Sequence, residues 1–296
     1  MGPGPWCAIA HQAGTTSVFV VITLSTTNPL KNLHGTIALA GAGKMGGAML
    51  TGWLAQGLDP KRVVVIEPHP TDEIKALAGI RLNPTPKEAG EVDTLVVAVK
   101  PQSFREAGAA LKAFAGSSTL VVSIMAGTPI ASLEAVVGGS VVRAMPNTPA
   151  AIGRGITVAV AAKNVSAAQR AIADALLRAT GSVEWVDQES LMDAVTAVSG
   201  SGPAYVFLLA EELARAGVAA GLPAELATRL ARETVAGSGE LLHRSELSSA
   251  TLRQNVTSPG GTTAAALDVL MGADGMQKLM TRAVAAATQR SKDLAK

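Results

Sequence analysis

From residue 36 onward, short apolar runs alternate with longer stretches of helical spacing. The runs at 36–40 (TIALA), 63–66 (VVVI), 94–99 (TLVVAV), 119–124, 141–145, 156–160 and 183–186 are apolar almost throughout, not at every second residue. That pattern predicts strands covered on both faces. Between them, residues 48–56, a short centre near 74–78, 104–115, 129–137 and 167–179 carry helical periodicity. Strand–helix repetition with short connections predicts an α/β fold built on a doubly wound, mainly parallel sheet.

The pattern changes near Gln188. Beyond it no run reads as a strand. Residues 191–198, 204–220, 224–242, 262–270 and 276–294 have helical spacing, with breaks at 200–203, 221–223 and 258–261. We therefore expect an α/β domain over 36–188 and an all-helical domain over 189–296. The helical half is rich in Ala and Leu and has few solvating faces, so it is expected to bury apolar surface against a second copy. Residues 1–35 mix Gly, Pro, Thr and Ser around one apolar run at 18–24. That run is far too short to span a bilayer, and no basic region precedes it as in a secretory signal. The segment reads as an extension without fixed structure.

Composition narrows the chemistry. Hydrophobic residues make up 48% of the 296, but aromatics only 3%, so the core must be built from Ala, Val, Leu, Ile and Met. The net charge of +2, with no run of like charges, gives no footprint for nucleic acid or an anionic membrane. Cys7 is the single cysteine, which excludes an intrachain disulfide and a multi-cysteine metal site. His11, His34, His69 and His243 are too dispersed for a structural zinc site. This usage fits a reducing cytoplasm.

Gly41-Ala42-Gly43-Lys44-Met45-Gly46 follows an apolar strand and opens a helix, the setting in which G-x-G-x-x-G signals a dinucleotide. Gly41 permits the tight turn, Gly43 lets backbone approach a pyrophosphate, and Gly46 lets helix and strand pack closely. The helix start offers free N–H groups to phosphate. Gly41, Gly43, Lys44, Met45 and Gly46 are thus the candidate pyrophosphate contacts, and the first domain is expected to be Rossmann-like. Glu67 ends the second strand, where a carboxylate accepts from a ribose diol and repels a 2′-phosphate. His69 and Lys61 are cations or potential cations that could blunt this, so NADH and NADPH both stay open. Val99, Lys100 and Pro101 end the third strand, at the edge where ligands bind in open sheets. Lys100 suits a ribose hydroxyl or a phosphate. Asn147, in a loop stiffened by Pro146 and Pro149, offers a donor and an acceptor to a carboxamide or substrate.

Two stretches of the helical half could present backbone N–H groups and hydroxyls to one point. They are Ser199-Gly200-Ser201-Gly202-Pro203 and Ser258-Pro259-Gly260-Gly261-Thr262-Thr263. Each is suited to a small carboxylate, with Ser201 the candidate contact in the first; ordinary helix capping is the alternative. Neither contains His, Lys, Asp or Glu. A ketone or alcohol would need a strong proton donor or acceptor, whereas a cyclic imine arrives already protonated. A hydroxyl such as that of Thr263 would then suffice.

The stretches GAGKMGGAML (41–50), AVKPQ (98–102), MPNTP (145–149), DAVTAVSGSGPAY (193–205) and NVTSPGGTT (255–263) together resemble the pyrroline-5-carboxylate reductase family. The resemblance runs from about residue 36 to the end, and its last two motifs are the specific ones. It implies hydride transfer from NADPH or NADH to C5 of L-1-pyrroline-5-carboxylate, giving L-proline at the last step of its biosynthesis. It implies that Val256, Ser258, Gly261, Thr262 and Thr263 surround the substrate carboxylate and ring, with Thr263 nearest the imine nitrogen. It also implies a homodimer of intertwined helical domains, assembled further into a decamer. Residues 1–35 have no counterpart in the family pattern, and many members carry a small or basic group where Glu67 stands. Another two-domain dehydrogenase, of the β-hydroxyacid type, would place a lysine near 198–205, and none is there. A non-catalytic dinucleotide sensor would have no use for Thr263 and two anion loops.

Overall fold

The structure, a computed structural model, describes residues 30–294. Most of the expected extension, residues 1–29, lies outside the described residues. Residues 30–35 do not belong to such an extension: Leu30 is 0% exposed within the first hydrophobic core, and Leu33 packs against that core. Its N–H donates to the Leu30 carbonyl (3.2 Å), forming a turn that leads into the first strand.

Among the described residues one sheet of eight strands forms. The strands are β1 (Ile37–Ala40), β2 (Val63–Ile66), β3 (Arg81–Leu82), β4 (Thr94–Val97), β5 (Leu120–Ser123), β6 (Ser140–Met145), β7 (Gly155–Ala161) and β8 (Gly181–Trp185). Their order is β3-β2-β1-β4-β5-β6-β7-β8. The strand order runs outward one way from β1 and the other way from β4, and that switch makes the doubly wound, Rossmann-like pattern and its crevice. All pairs are parallel except β6 with β7. The link from Met145 to Gly155 is too short for a parallel crossover, which takes about a dozen residues or more, so β7 turns back. β3 was not legible as a strand.

Side chains alternate between two cores, as the pleat requires. Ile37, Leu39, Val65, Val96 and Val122 face the core covered by α1 (Lys44–Ala55) and α6 (Ala167–Arg178). There Trp53 is fully buried and its indole N–H donates to the Leu176 carbonyl (2.8 Å), joining the two helices. Ala38, Ala40, Leu95, Val97 and Val121 face the second core, under α4 (Pro101–Lys112) and α5 (Ile130–Val136). The short α2 (Asp72–Lys75) and α3 (Pro86–Ala89) complete the connections around β3. Helices start where the sequence supplies caps: Ser166 and Gln169 form a capping box at α6.

After Trp185 the chain is helical. A 3₁₀ turn (Glu189–Leu191), α7 (Met192–Val195) and a π-helical turn (Thr196–Gly200) run into α8 (Gly202–Ala219). α9 (Ala224–Arg244), α10 (Ser249–Asn255), α11 (Thr262–Leu270) and α12 (Met276–Leu294) follow. The expected break at 200–203 is not one. Ser201 N–H donates to the Thr196 carbonyl (2.8 Å), so the path stays helical through a widened turn. Tyr205 closes that turn by donating its hydroxyl to the Ala197 carbonyl (3.0 Å). α8 and α9 approach closely because Gly217 faces Ala227; a Cβ on Gly217 would stand 3.2 Å from that methyl. Phe207, Leu208, Val269 and Met271 are exposed on the helical half. Among the described residues no helix is long and apolar enough to cross a membrane.

Leu30→Ala is expected to lower stability by about 2–5 kcal/mol, the cost of emptying a packed site. The exposed Lys31→Ala should change it by less than about 0.5 kcal/mol. Urea unfolding midpoints measure both.

Candidate functional site

β1 ends beside the neighbours that flank it. Gly41 N–H donates to the Ile66 carbonyl of β2 (2.9 Å), and Ala98 N–H, just past β4, donates to the Ala40 carbonyl (2.7 Å). Gly41 then turns with φ +90°, and a Cβ there would stand 2.7 Å from the Ala98 carbonyl oxygen. Gly46, one turn into α1, backs onto the Gly41 carbonyl oxygen so closely that a Cβ would overlap it. Gly43 is different: no atom lies within 4 Å of the place its Cβ would take. It is exposed and caps α1 without a side chain, so the first amides of the helix face open space. Space, free N–H groups and the positive end of the helix fit a pyrophosphate, and a side chain at 43 would fill that space. Lys44 is exposed at the first position of α1 and Met45 is half-buried beside it.

Glu67 lies at the carboxyl end of β2 and folds back onto this corner. Its Oε2 accepts from Ala42 N–H (2.8 Å) and its Oε1 from His69 N–H (3.0 Å). Asn83, which sequence reasoning missed, holds it there. Asn83 Oδ1 accepts from Glu67 N–H (2.8 Å), and Nδ2 donates to the Glu67 carbonyl (2.8 Å). Asn83 adopts φ +49°, a conformation Asn tolerates better than most residues; the Asn-Pro pair, a turn marker, was the available signal. Lys61 does not belong to this end. It precedes β2, at the opposite edge of the sheet, so it cannot offset the Glu67 charge.

Val99 and Lys100 follow β4 at the same edge as the glycine corner, with Lys100 exposed as the cap of α4 and Pro101 as its first residue. Asn147 lies just past β6. Its Oδ1 accepts from Ile156 N–H (2.9 Å), which leaves Nδ2 as the group it can offer. Gly41, Gly43, Gly46, Glu67, Val99, Lys100, Pro101 and Asn147 thus line the carboxyl edge of the parallel strands.

The two motifs of the helical half behave differently. In the first, the Ser201 amide is used within the π-helical turn, and Ser199 Oγ donates to the Val195 carbonyl (3.0 Å). The Ser201 hydroxyl is the side-chain group of this motif left to meet a ligand. In the second, Gly261 N–H donates to the Ser258 carbonyl (3.0 Å), and Gly260 takes φ +68° to close the turn. Gly261 then caps α11, leaving the amides of Thr262, Thr263 and Ala264 without helical partners. Ser258, Thr262 and Val256 are exposed, Val256 at 65%. Among the described residues no hydrogen bond or ion pair ties 255–263 to the sheet domain, so one chain leaves this turn open.

Residues 189–294 match the family model described as pyrroline-5-carboxylate reductase dimerisation. Residues 36–127 match one described as NADP oxidoreductase, coenzyme F420-dependent. A pyrroline-5-carboxylate reductase of Pseudomonas aeruginosa is 41% identical over 264 residues, covering 88% of this chain and 96% of that protein. The solved structure of a pyrroline-5-carboxylate reductase from Coxiella burnetii is 35% identical with a TM-score of 0.82, over 88% of this chain and 99% of that one. The structure of Plasmodium falciparum pyrroline carboxylate reductase with NADP bound is 32% identical with a TM-score of 0.74, over 90% and 100%.

The glycine geometry separates two effects. Gly43→Ala should leave the unfolding midpoint within about 0.5 kcal/mol of wild type yet weaken cofactor binding about tenfold or more. Gly46→Ala should lower stability by about 1–3 kcal/mol as well, because its methyl has nowhere to go. Calorimetric titration with NADH and NADPH, beside thermal unfolding, reads both.

Proposed function

The chain belongs to the pyrroline-5-carboxylate reductase family, and on that footing we propose that it reduces L-1-pyrroline-5-carboxylate to L-proline with NADPH or NADH. The observation that carries this reading is the pairing, in one chain, of an open glycine corner with an open amide turn free of any acid or base. The first suits a dinucleotide. The second suits a carboxylate on a ring whose nitrogen needs no strong proton donor.

The reduced nicotinamide, when bound, supplies the hydride for C5. The chain's residues do the rest. Gly41, Gly43 and Gly46, with the start of α1, hold the pyrophosphate, and Lys44 and Met45 flank it. Glu67 meets the adenosine ribose; its charge disfavours a 2′-phosphate, which inclines the site toward NADH. Val99, Lys100 and Pro101 border the second ribose, and the Asn147 amide nitrogen donates beside the nicotinamide. The amides of Thr262, Thr263 and Ala264, with the hydroxyls of Ser258 and Thr262, take the substrate carboxylate. Gly261 keeps that approach clear, Val256 covers the ring, and Ser201 adds a hydroxyl. The Thr263 hydroxyl orients the ring nitrogen, which carries its own proton.

An amide turn that forms no hydrogen bond to the sheet domain of its own chain gains the rest of its surroundings from a second copy. The exposed apolar side chains of α8, α11 and α12 support a dimer through the helical half. A decamer of such dimers and a cytoplasmic location complete the proposal.

Purified protein is expected to oxidise NADH or NADPH when pyrroline-5-carboxylate is added, followed by absorbance at the nicotinamide band. Thr263→Ala should lower kcat about ten- to a hundredfold with cofactor binding intact. No turnover with either cofactor would overturn the reading.

A further inference from the structure

Arg143 in β6 and Glu189, the first residue of the helical half, have no place in the binding scheme above, yet they join three elements. Arg143 follows Val141 on the face of β6 turned to the second core, and its side chain is only 7% exposed. A guanidinium so buried needs a compensating charge. Its Nη1 lies 2.8 Å from Glu189 Oε1. The same oxygen accepts from Ile130 N–H, the first amide of α5, at 2.8 Å. One carboxylate oxygen therefore ties β6, the start of α5 and the start of the helical half.

Between these anchors lie two loops at the carboxyl edge of the sheet. The loop after β5 runs to Ile130. Its near end is pinned by Met125 N–H donating to the buried Ser123 Oγ (3.3 Å). Its middle rests on the last turn of α12, where a Cβ on Gly127 would stand 3.3 Å from Leu294 Cβ. The end of β6 is braced too, since a Cβ on Gly200 of the π-helical turn would meet Met145 Cε at 2.6 Å. α12 is in turn joined to α7 by Ser291 Oγ donating to Asp193 Oδ1 (2.7 Å). Beside the first loop a cavity of about 710 Å³ opens between Gln102, Phe104, Thr128 and Leu294. The Glu189 bond to Ile130 N–H fixes the far end of that loop beside this space.

We infer that Arg143 and Glu189 are a positioning pair for the reaction. They fix the loops after β5 and β6, where the nicotinamide end of a dinucleotide lies in such a sheet, relative to the half that carries the substrate turn. The inference rests on the proposed function. A misplacement of about 1 Å between reacting groups can slow a reaction about a hundredfold, so a pair outside ligand contact can govern the rate.

The double variant Arg143→Met/Glu189→Met tests it, because apolar replacement of a buried pair is often neutral for folding. The expected result has four parts. The ligand-free protein keeps its Tm within about 3 °C. The calorimetric Kd for NADH stays within about threefold, while kcat falls about tenfold or more. The primary isotope effect on kcat with 4-deuterated NADH is at least as large as in wild type, since hydride transfer is the step slowed. Glu189→Gln, whose amide oxygen still accepts from both donors, lowers Tm because the Arg143 charge loses its compensation, yet keeps kcat, assayed well below that Tm, within about threefold of wild type. Wild-type kcat in the double variant overturns the inference. So does a lowered kcat that only follows a lowered Tm, or one with a diminished isotope effect. If the double variant does not fold, Arg143→Lys, which keeps the buried cation but not the guanidinium fork, is judged by the same criteria. A wild-type protein that fails to turn over pyrroline-5-carboxylate overturns the proposed function itself, and this inference with it.

Discussion

The contact on which the rest of the sheet domain depends is the one between Gly46 and the carbonyl of Gly41. α1 can lie this close to the β1 corner only because Gly46 carries no side chain, while Gly41 makes its turn against the Ala98 carbonyl for the same reason. That approach sets α1 deep enough for Trp53 to reach the Leu176 carbonyl and close the first core. It also aims the start of α1 at the gap between β1 and β4, where the strand order switches and where Gly43 leaves open room. Packing and function thus share one cause: the closeness that buries α1 also delivers its free amides to the binding edge.

The two halves of the chain are held by links of unequal worth. Arg154 of the sheet domain reaches Glu240 of α9 at 3.2 Å, but both side chains are well exposed. The Arg244 guanidinium, and then that of Arg154, hold the Glu240 carboxyl below its ordinary value. In water such a pair contributes little, and salt weakens it further. Arg143 with Glu189 is of another kind, because one partner is out of water and loses its compensation when the other is removed. Specific placement of the helical half rests on that buried link and on the close packing of Leu294 on Gly127 and of Gly200 on Met145, not on the surface ions.

Much of this was legible in the sequence, for physical reasons. Strands buried on both faces leave unbroken apolar runs, so β1, β2, β4 and β5 could be placed to within a residue or two. The glycine corner was legible because backbone closeness demands specific residues. What local pattern does not encode was not. β3 is two residues long, and its pairing with β2 is extended by Asn83, whose side chain bonds the Glu67 backbone. The antiparallel turn of β7 follows from the length of a connection, not from its residues. α10 is a short helix capped by Ser248 that the spacing of apolar residues did not mark. The π-helical turn depends on Gly200 fitting against Met145, a residue far away in the chain. Arg143 and Glu189 are likewise joined only by the fold. The reading of Leu30 failed because a single buried side chain carries no periodicity.

The proposed reaction requires a nicotinamide anchored at the glycine corner to face a ring whose carboxylate sits on the turn before α11. The most direct measurement is a crystal structure of the assembled protein with oxidised cofactor and L-proline. The carboxylate is expected on the amides of Thr262, Thr263 and Ala264, with proline C5 about 3–3.5 Å from C4 of the nicotinamide. Proline bound elsewhere, with that turn open to solvent in every subunit, would contradict it.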